Sequence, residues 1–106
     1  MDKVDLIAEF DHVDKLWTQR TLADLNGQQV KIAKLQGEFH WHKHDHEDEM
    51  FFVAKGSLVI KLRDKDIKLS ENQFFVIPRG VEHMPVAAEE CWVMLFEPAE
   101  TVREGD

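Results

Sequence analysis

The sequence has no tyrosine, a single cysteine, three prolines and no uninterrupted apolar run long enough to cross a bilayer. Each shortage removes a class of protein. One cysteine, Cys91, permits no intrachain disulfide, so burial of apolar surface must hold the fold. Its neighbours in CWVMLF mark it as a small core residue rather than a nucleophile. Lysine and arginine number 13 against 21 acids, giving a formal net charge of −8, and the bases form no cluster. Nucleic-acid binding is therefore not expected, because affinity for a phosphate backbone rests on neutralising many phosphates. The same reasoning excludes an anionic membrane surface. The first residues, MDKVDLIAEFDH, are broken by acids and lack the basic leader and apolar stretch of a secretion signal, so a cytoplasmic location is expected.

What is present suits one soluble domain. At 106 residues the chain can build one hydrophobic core and not two, so a single domain over residues 1–106 is expected. Seven Phe and three Trp within a 43% apolar composition supply that core. Residues 1–15 read as a charged lead-in with at most one helical turn. Asn26-Gly27 then separates LWTQRTL from QQVKIAKLQ, the turn chemistry of a tight hairpin. Short apolar runs follow at EMFFVA, SLVIKLR, IKL, QFFVI and CWVMLFE, punctuated by Gly56, Asp64 to Asp66, Ser70 to Asn72, Pro78 to Gly80 and Ala87 to Glu90. Many short strands at close spacing predict an all-β sandwich or barrel. SLVIKLR alternates, with Leu58, Ile60 and Leu62 on one face; CWVMLF is apolar throughout, as in a strand covered on both sides. Residues 98–106 carry acids and a proline, and a flexible tail that buries no surface is expected.

Chemistry concentrates in FHWHKHDHEDE. His40, His42, His44 and His46 recur every second residue, which in an extended strand sends them to one side about 7 Å apart. Alternating histidines and acids alone also describe a solvated strand or a diffuse chelating patch. The continuation is more specific. Glu49 lies five residues after His44, enough for the chain to turn and start the next strand with a carboxylate on the face of Phe51 and Val53. His83 follows the stiff turn Pro78-Arg79-Gly80, and it reaches the others only if the sheet curls into a barrel. That spacing favours His42 with His44 over the flanking pairs, leaving His46 in the turn and His40 one pleat away, where it could line a pocket.

These residues resemble the two motifs of the cupin superfamily. The first, a glycine, H-x-H, three or four residues, a glutamate, six residues and a glycine, is similar to Gly37, His42-Lys43-His44, Glu49 and Gly56. The second, a glycine followed later by P-x-G-x-x-H, is similar to Pro78-Arg79-Gly80-Val81-Glu82-His83. The chain departs in three places: Gly37 is one residue closer to the first histidine, Asn72 stands for a glycine, and Ala87 for a closing asparagine. No ligand position is lost. The resemblance covers roughly residues 28–97 and implies a double-stranded β-helix, or jelly-roll barrel, of the small single-domain bacterial type. It also implies a metal held by His42, His44, Glu49 and His83.

Three imidazoles and one carboxylate suit a divalent transition metal ion, Fe, Mn, Ni, Co, Cu or Zn, with positions open to a small-molecule ligand or substrate. Two readings follow: a metalloenzyme, isomerase- or dioxygenase-like, acting on an oxygenated metabolite, or a noncatalytic metal or small-molecule binding module. No catalytic residue is assigned, and no second carboxylate or lysine is expected inside the barrel, which favours simple chemistry or none. Expected pocket walls are Phe51, Val53, Phe75, Ile77 and one face of Trp92, Met94 and Phe96. Arg79 is a candidate to meet an anionic substrate. The all-apolar final strand predicts a homodimer.

Overall fold

Asn26 and Gly27 take φ values of 51° and 81°, the two consecutive left-handed residues that a two-residue hairpin turn requires. They join β1 (Arg20–Leu25) to β2 (Gln28–Glu38) in antiparallel register, Leu25 opposite Gln28. The computed structural model describes residues 1–105. The lead-in contains one turn of helix, α1 (Leu6–Glu9), capped by the Asp5 side chain, then a 3-10 turn, Phe10–His12. The remaining strands are β3 (Glu49–Lys55), β4 (Leu58–Leu62), β5 (Asp66–Leu69), β6 (Phe74–Ile77) and β7 (His83–Pro98).

β7 organises the barrel. Its second half, Cys91 to Pro98, runs between β2 and β3, giving the order β1-β2-β7-β3-β6. Its first half, His83 to Val86, pairs with β4, which carries β5, and at Val86 it still meets Glu38 of β2. Between them the exposed residues Ala88, Glu89 and Glu90 take up a register shift against β2. The expected break at residues 87–90 is thus a bend within one strand of 16 residues. Gly56, at φ 88°, fits against this bend: a Cβ there would lie 3.1 Å from the Glu90 carbonyl oxygen. Asn72 takes the left-handed conformation at φ 68°, serving the turn where the family pattern has glycine. The all-β jelly-roll barrel expected from the sequence is the architecture found.

Odd-numbered residues of β3 and β7 face inward: Phe51, Val53, Ala87, Cys91, Val93 and Leu95 join Leu58, Ile60 and Ile77 in the main core. Burial pushes the Cys91 thiol up to about 11, in keeping with a packing role. The opposite face of β7 is where the pocket-wall expectation is corrected. Trp92 and Met94 pack outside the barrel against Phe10, Val13 and Ile32, with Phe10 stacked on Trp92 at 4.8 Å. An all-apolar strand carries no alternation to show which side points in. The expectation that residues 98–106 bury nothing is also corrected, for Thr101 is buried and Gly105 packs on His42; Asp106 lies outside the described residues.

Candidate metal centre

Residues 39–48 form no regular strand, contrary to the alternating-strand expectation; His42 alone among them forms a β-bridge, to His83. That bridge builds the site. His42 N–H donates to His83 O at 3.0 Å and His83 N–H to His42 O at 2.9 Å, bringing the ring centroids to 4.2 Å. Gly80 N–H donates to His44 O at 2.8 Å, and Arg79 N–H to Asp48 Oδ1 at 2.8 Å. The histidine loop is therefore stitched to the Pro78–His83 turn before any ligand is considered. Glu49 enters from the first position of β3.

The four side chains His42, His44, Glu49 and His83 are buried, and one donor atom from each lies within 4.8 Å of all the others. They are placed where they could hold one metal ion. Their hydrogen bonds fix the direction in which they point. His42 Nδ1–H donates to His40 O and His83 Nδ1–H to Val81 O, both at 2.9 Å; a carbonyl can only accept, so each ring keeps its proton on Nδ1. In the neutral rings Nε2 then carries a lone pair. His83 Nε2 and Glu49 Oε1 are buried without a hydrogen-bond partner and face each other at 3.4 Å, while His44 Nε2 stands 3.6 Å from the same oxygen. Lone pairs and a carboxylate that converge in a buried space are stabilised by a cation among them. The donor set fits a metal on that ground.

Burial shapes the electrostatics. It lowers His42 from the usual 6.5 to about 4, reinforced by neighbouring His83 and His44 and opposed by the bond to His40 and by Glu49. Behind Glu49 lies a second carboxyl group. Glu97 is fully buried on β7, and Lys31 of β2, also buried, donates to its Oε1 at 3.1 Å. Burial first, then the Glu49 carboxylate, pushes Glu97 up to about 9. This overturns the expectation of no second carboxylate or lysine inside the barrel. The signal was strand parity: Lys31 shares a face with Ala33 and Leu35, and Glu97 with Cys91, Val93 and Leu95.

Beside the donors opens a cavity of about 380 Å³, counted to its solvent mouth and lined by Trp17, Phe39, Phe51, Leu95, Arg103 and others. Of the expected walls Phe51 lines it, whereas Val53, Phe75 and Ile77 belong to the packed core. Arg79 does not reach it; its side chain is exposed and paired with Asp48. Trp41 is outside too, stacked under Arg63 at 3.8 Å. His40 is exposed and donates from Nε2 to Glu104 O at 2.8 Å rather than entering the cavity. Trp17, Phe39 and Arg103 were not read as site residues.

Fold and cluster together define a jelly-roll barrel with three histidines and a glutamate placed for metal binding. Residues 28–96 match the cupin domain family (Cupin_2), and the chain belongs to it. It is 32% identical over 80 residues to the uncharacterized protein YdbB of Bacillus subtilis, covering 74% of this chain and 71% of that one. A cupin-2 domain containing protein of Shewanella frigidimarina superposes with a TM-score of 0.88 at 42% identity, over 90% of this chain and 93% of that chain. Protein NMB1881 of Neisseria meningitidis gives 0.84 at 23% identity over 92% and 100%, a likeness of fold alone.

Proposed function

We propose that His42, His44, Glu49 and His83 ligate one divalent transition metal ion, and that the chain is a small metalloenzyme, isomerase- or dioxygenase-like, for an oxygenated metabolite bound in the adjacent cavity. The observation that carries this reading is the buried convergence of His42, His44 and His83 on Glu49, one donor atom from each within 4.8 Å of all the others. An ion of this kind, with positions left open, would polarise a ligand oxygen or activate a small molecule. The protein's own part is positional. The carbonyls of His40 and Val81 hold two rings with Nε2 inward. Trp17, Phe39 and Phe51 give the cavity apolar walls. Glu97, pushed up to about 9 chiefly by burial, stands behind Glu49 and accepts from Lys31.

The test is metal analysis of the untagged protein, followed by a screen of keto acids, sugars and catechols with oxygen uptake and product recorded. Near-stoichiometric metal with turnover of one class is expected. Metal without turnover across the screen would favour the binding module, and no metal retention at neutral pH would end the proposal. The reading also includes a cytoplasmic homodimer, supported by the single buried cysteine and by an uncovered apolar sheet face.

A further inference from the structure

Among the described residues, one arginine and no lysine lines the cavity, and it comes from the C-terminal segment. Arg103 shares the wall with Trp17, Phe39 and Phe51, and with His42 and Glu49 at the donor end. Its guanidinium is anchored, because Nη1 donates to the Trp17 carbonyl. Trp17 itself sits at φ 63°, a left-handed conformation that bulky residues rarely adopt. Such strain persists where the surroundings over-determine it. Here the Trp17 N–H donates to Lys34 O at 2.8 Å and its indole N–H to Gln36 O at 3.0 Å. The segment bearing Arg103 is fixed on its other side by the bond from His40 to Glu104 O, and by Gly105, where a Cβ would come within 2.7 Å of His42 Cβ.

The second edge of the guanidinium already holds a carboxylate. Nε and Nη2 both donate to one oxygen, Glu104 Oε1, at 3.1 and 2.6 Å, so this edge is not yet used in the two-oxygen fork with which arginine best recognises carboxylates. Both side chains are about half exposed, and an exposed pair contributes little, so one carboxylate there can exchange for another. With a net charge of −8 the molecule as a whole does not attract anions. A carboxylate that enters this cavity needs a local cation, and Arg103 is in place.

We propose that Arg103 is a specificity-determining residue, and that the cavity takes a small monocarboxylate with an aromatic or short aliphatic body, its carboxylate replacing Glu104 on the guanidinium and its body lying among Trp17, Phe39 and Phe51. The proposal rests on the reading of this cavity as the ligand site of the metal centre.

Calorimetric titration of phenylacetate and its neutral isostere phenylacetamide into the full chain, both metal-free and Co(II)-loaded, tests it. Wild type should prefer the carboxylate by about fivefold or more in both forms, with the preference shrinking in salt. Arg103→Gln should abolish the preference and leave Co(II) affinity unchanged, whereas Glu104→Gln should tighten phenylacetate binding by removing its competitor. An Arg103→Gln protein that keeps the preference, a wild type without one, or a Glu104→Gln protein that binds more weakly overturns the proposal. A preference seen only with Co(II) and indifferent to Arg103 also overturns it, while leaving the metal reading intact. An Arg103-dependent preference in a protein that binds no Co(II) upholds the carboxylate site and removes the metal reading alone.

Discussion

His42 and His83 each commit one ring nitrogen to a backbone carbonyl, and so each can offer only the other nitrogen to the interior. Replacing His42, His44 or His83 by alanine should therefore largely abolish binding of Co(II) or Zn(II) at micromolar metal in calorimetry. His46→Ala and His40→Ala should leave it nearly intact, since both side chains are exposed. Equal loss from all five would indicate a diffuse patch. The pH behaviour follows from His42. Its folded value of about 4 lies below its unfolded 6.5, so on acidification the unfolded chain takes up the proton first. This contribution to stability is complete above pH 6.5 and is lost as pH falls towards 4. Urea midpoints of chelator-treated protein should fall across that window, and a flat profile would contradict the burial of a neutral His42. The four cluster residues were legible because motif spacing encodes them. Lys31 and Glu97 were legible in principle from strand parity. Trp17 and Arg103 were not, because their meeting depends on a fold-back of 86 residues that no local pattern records.

At the level of elements, turn chemistry carried most of what the sequence could say. Asn26-Gly27, Gly56, Asn72 and Gly80 all adopt positive φ, and the strands fall between them. The histidine segment misled because its alternation mimics a strand, whereas its residues follow the contour set by backbone bonds to the Pro78–His83 turn. The continuity of β7 was hidden for a different reason: Ala88 to Glu90 look like a loop by composition and act as a bend by hydrogen bonding. That bend depends on Gly56. Gly56→Ala combines a left-handed backbone with a contact of 3.1 Å on Glu90 O, and should destabilise the protein by roughly 1–3 kcal/mol in urea unfolding. Gly27→Ala meets nothing within 4 Å, and should cost about 1 kcal/mol from its φ alone. Equal costs would mean that the approach of the β3–β4 turn to β7 is unimportant.

Across the whole molecule, the outer face of the sheet is apolar in two rows, Val30, Phe96, Met50 and Val76, and Ile32, Met94, Phe52 and Phe74, matched strand to strand across β2, β7, β3 and β6. The N-terminal segment covers the Ile32 and Met94 end, while Phe74 and Val76 are 60% and 45% exposed. Apolar side chains gathered on an edge strand mark an interaction surface. Wild type should sediment as a dimer at micromolar concentration, and a Phe74→Ser, Val76→Ser variant as a folded monomer with unchanged Co(II) affinity. A wild-type monomer would refute the homodimer. The reason first given for it, an uncovered CWVMLF, was incomplete, since Trp92 and Met94 already have intramolecular cover.

The long bent strand also bears on how the molecule comes into being. β7 is the common neighbour of β2, β3 and β4, so the sheet does not close until the last strand arrives, and the pairing of Gln28 with Pro98 must close a loop of almost the whole barrel. His83 travels on that strand. During synthesis the nascent chain would expose His42, His44 and Glu49 well before their fourth companion, with no barrel around them. The site is thus a product of completed folding rather than a nucleus for it, and a chain stopped before residue 83 should neither fold nor hold Co(II).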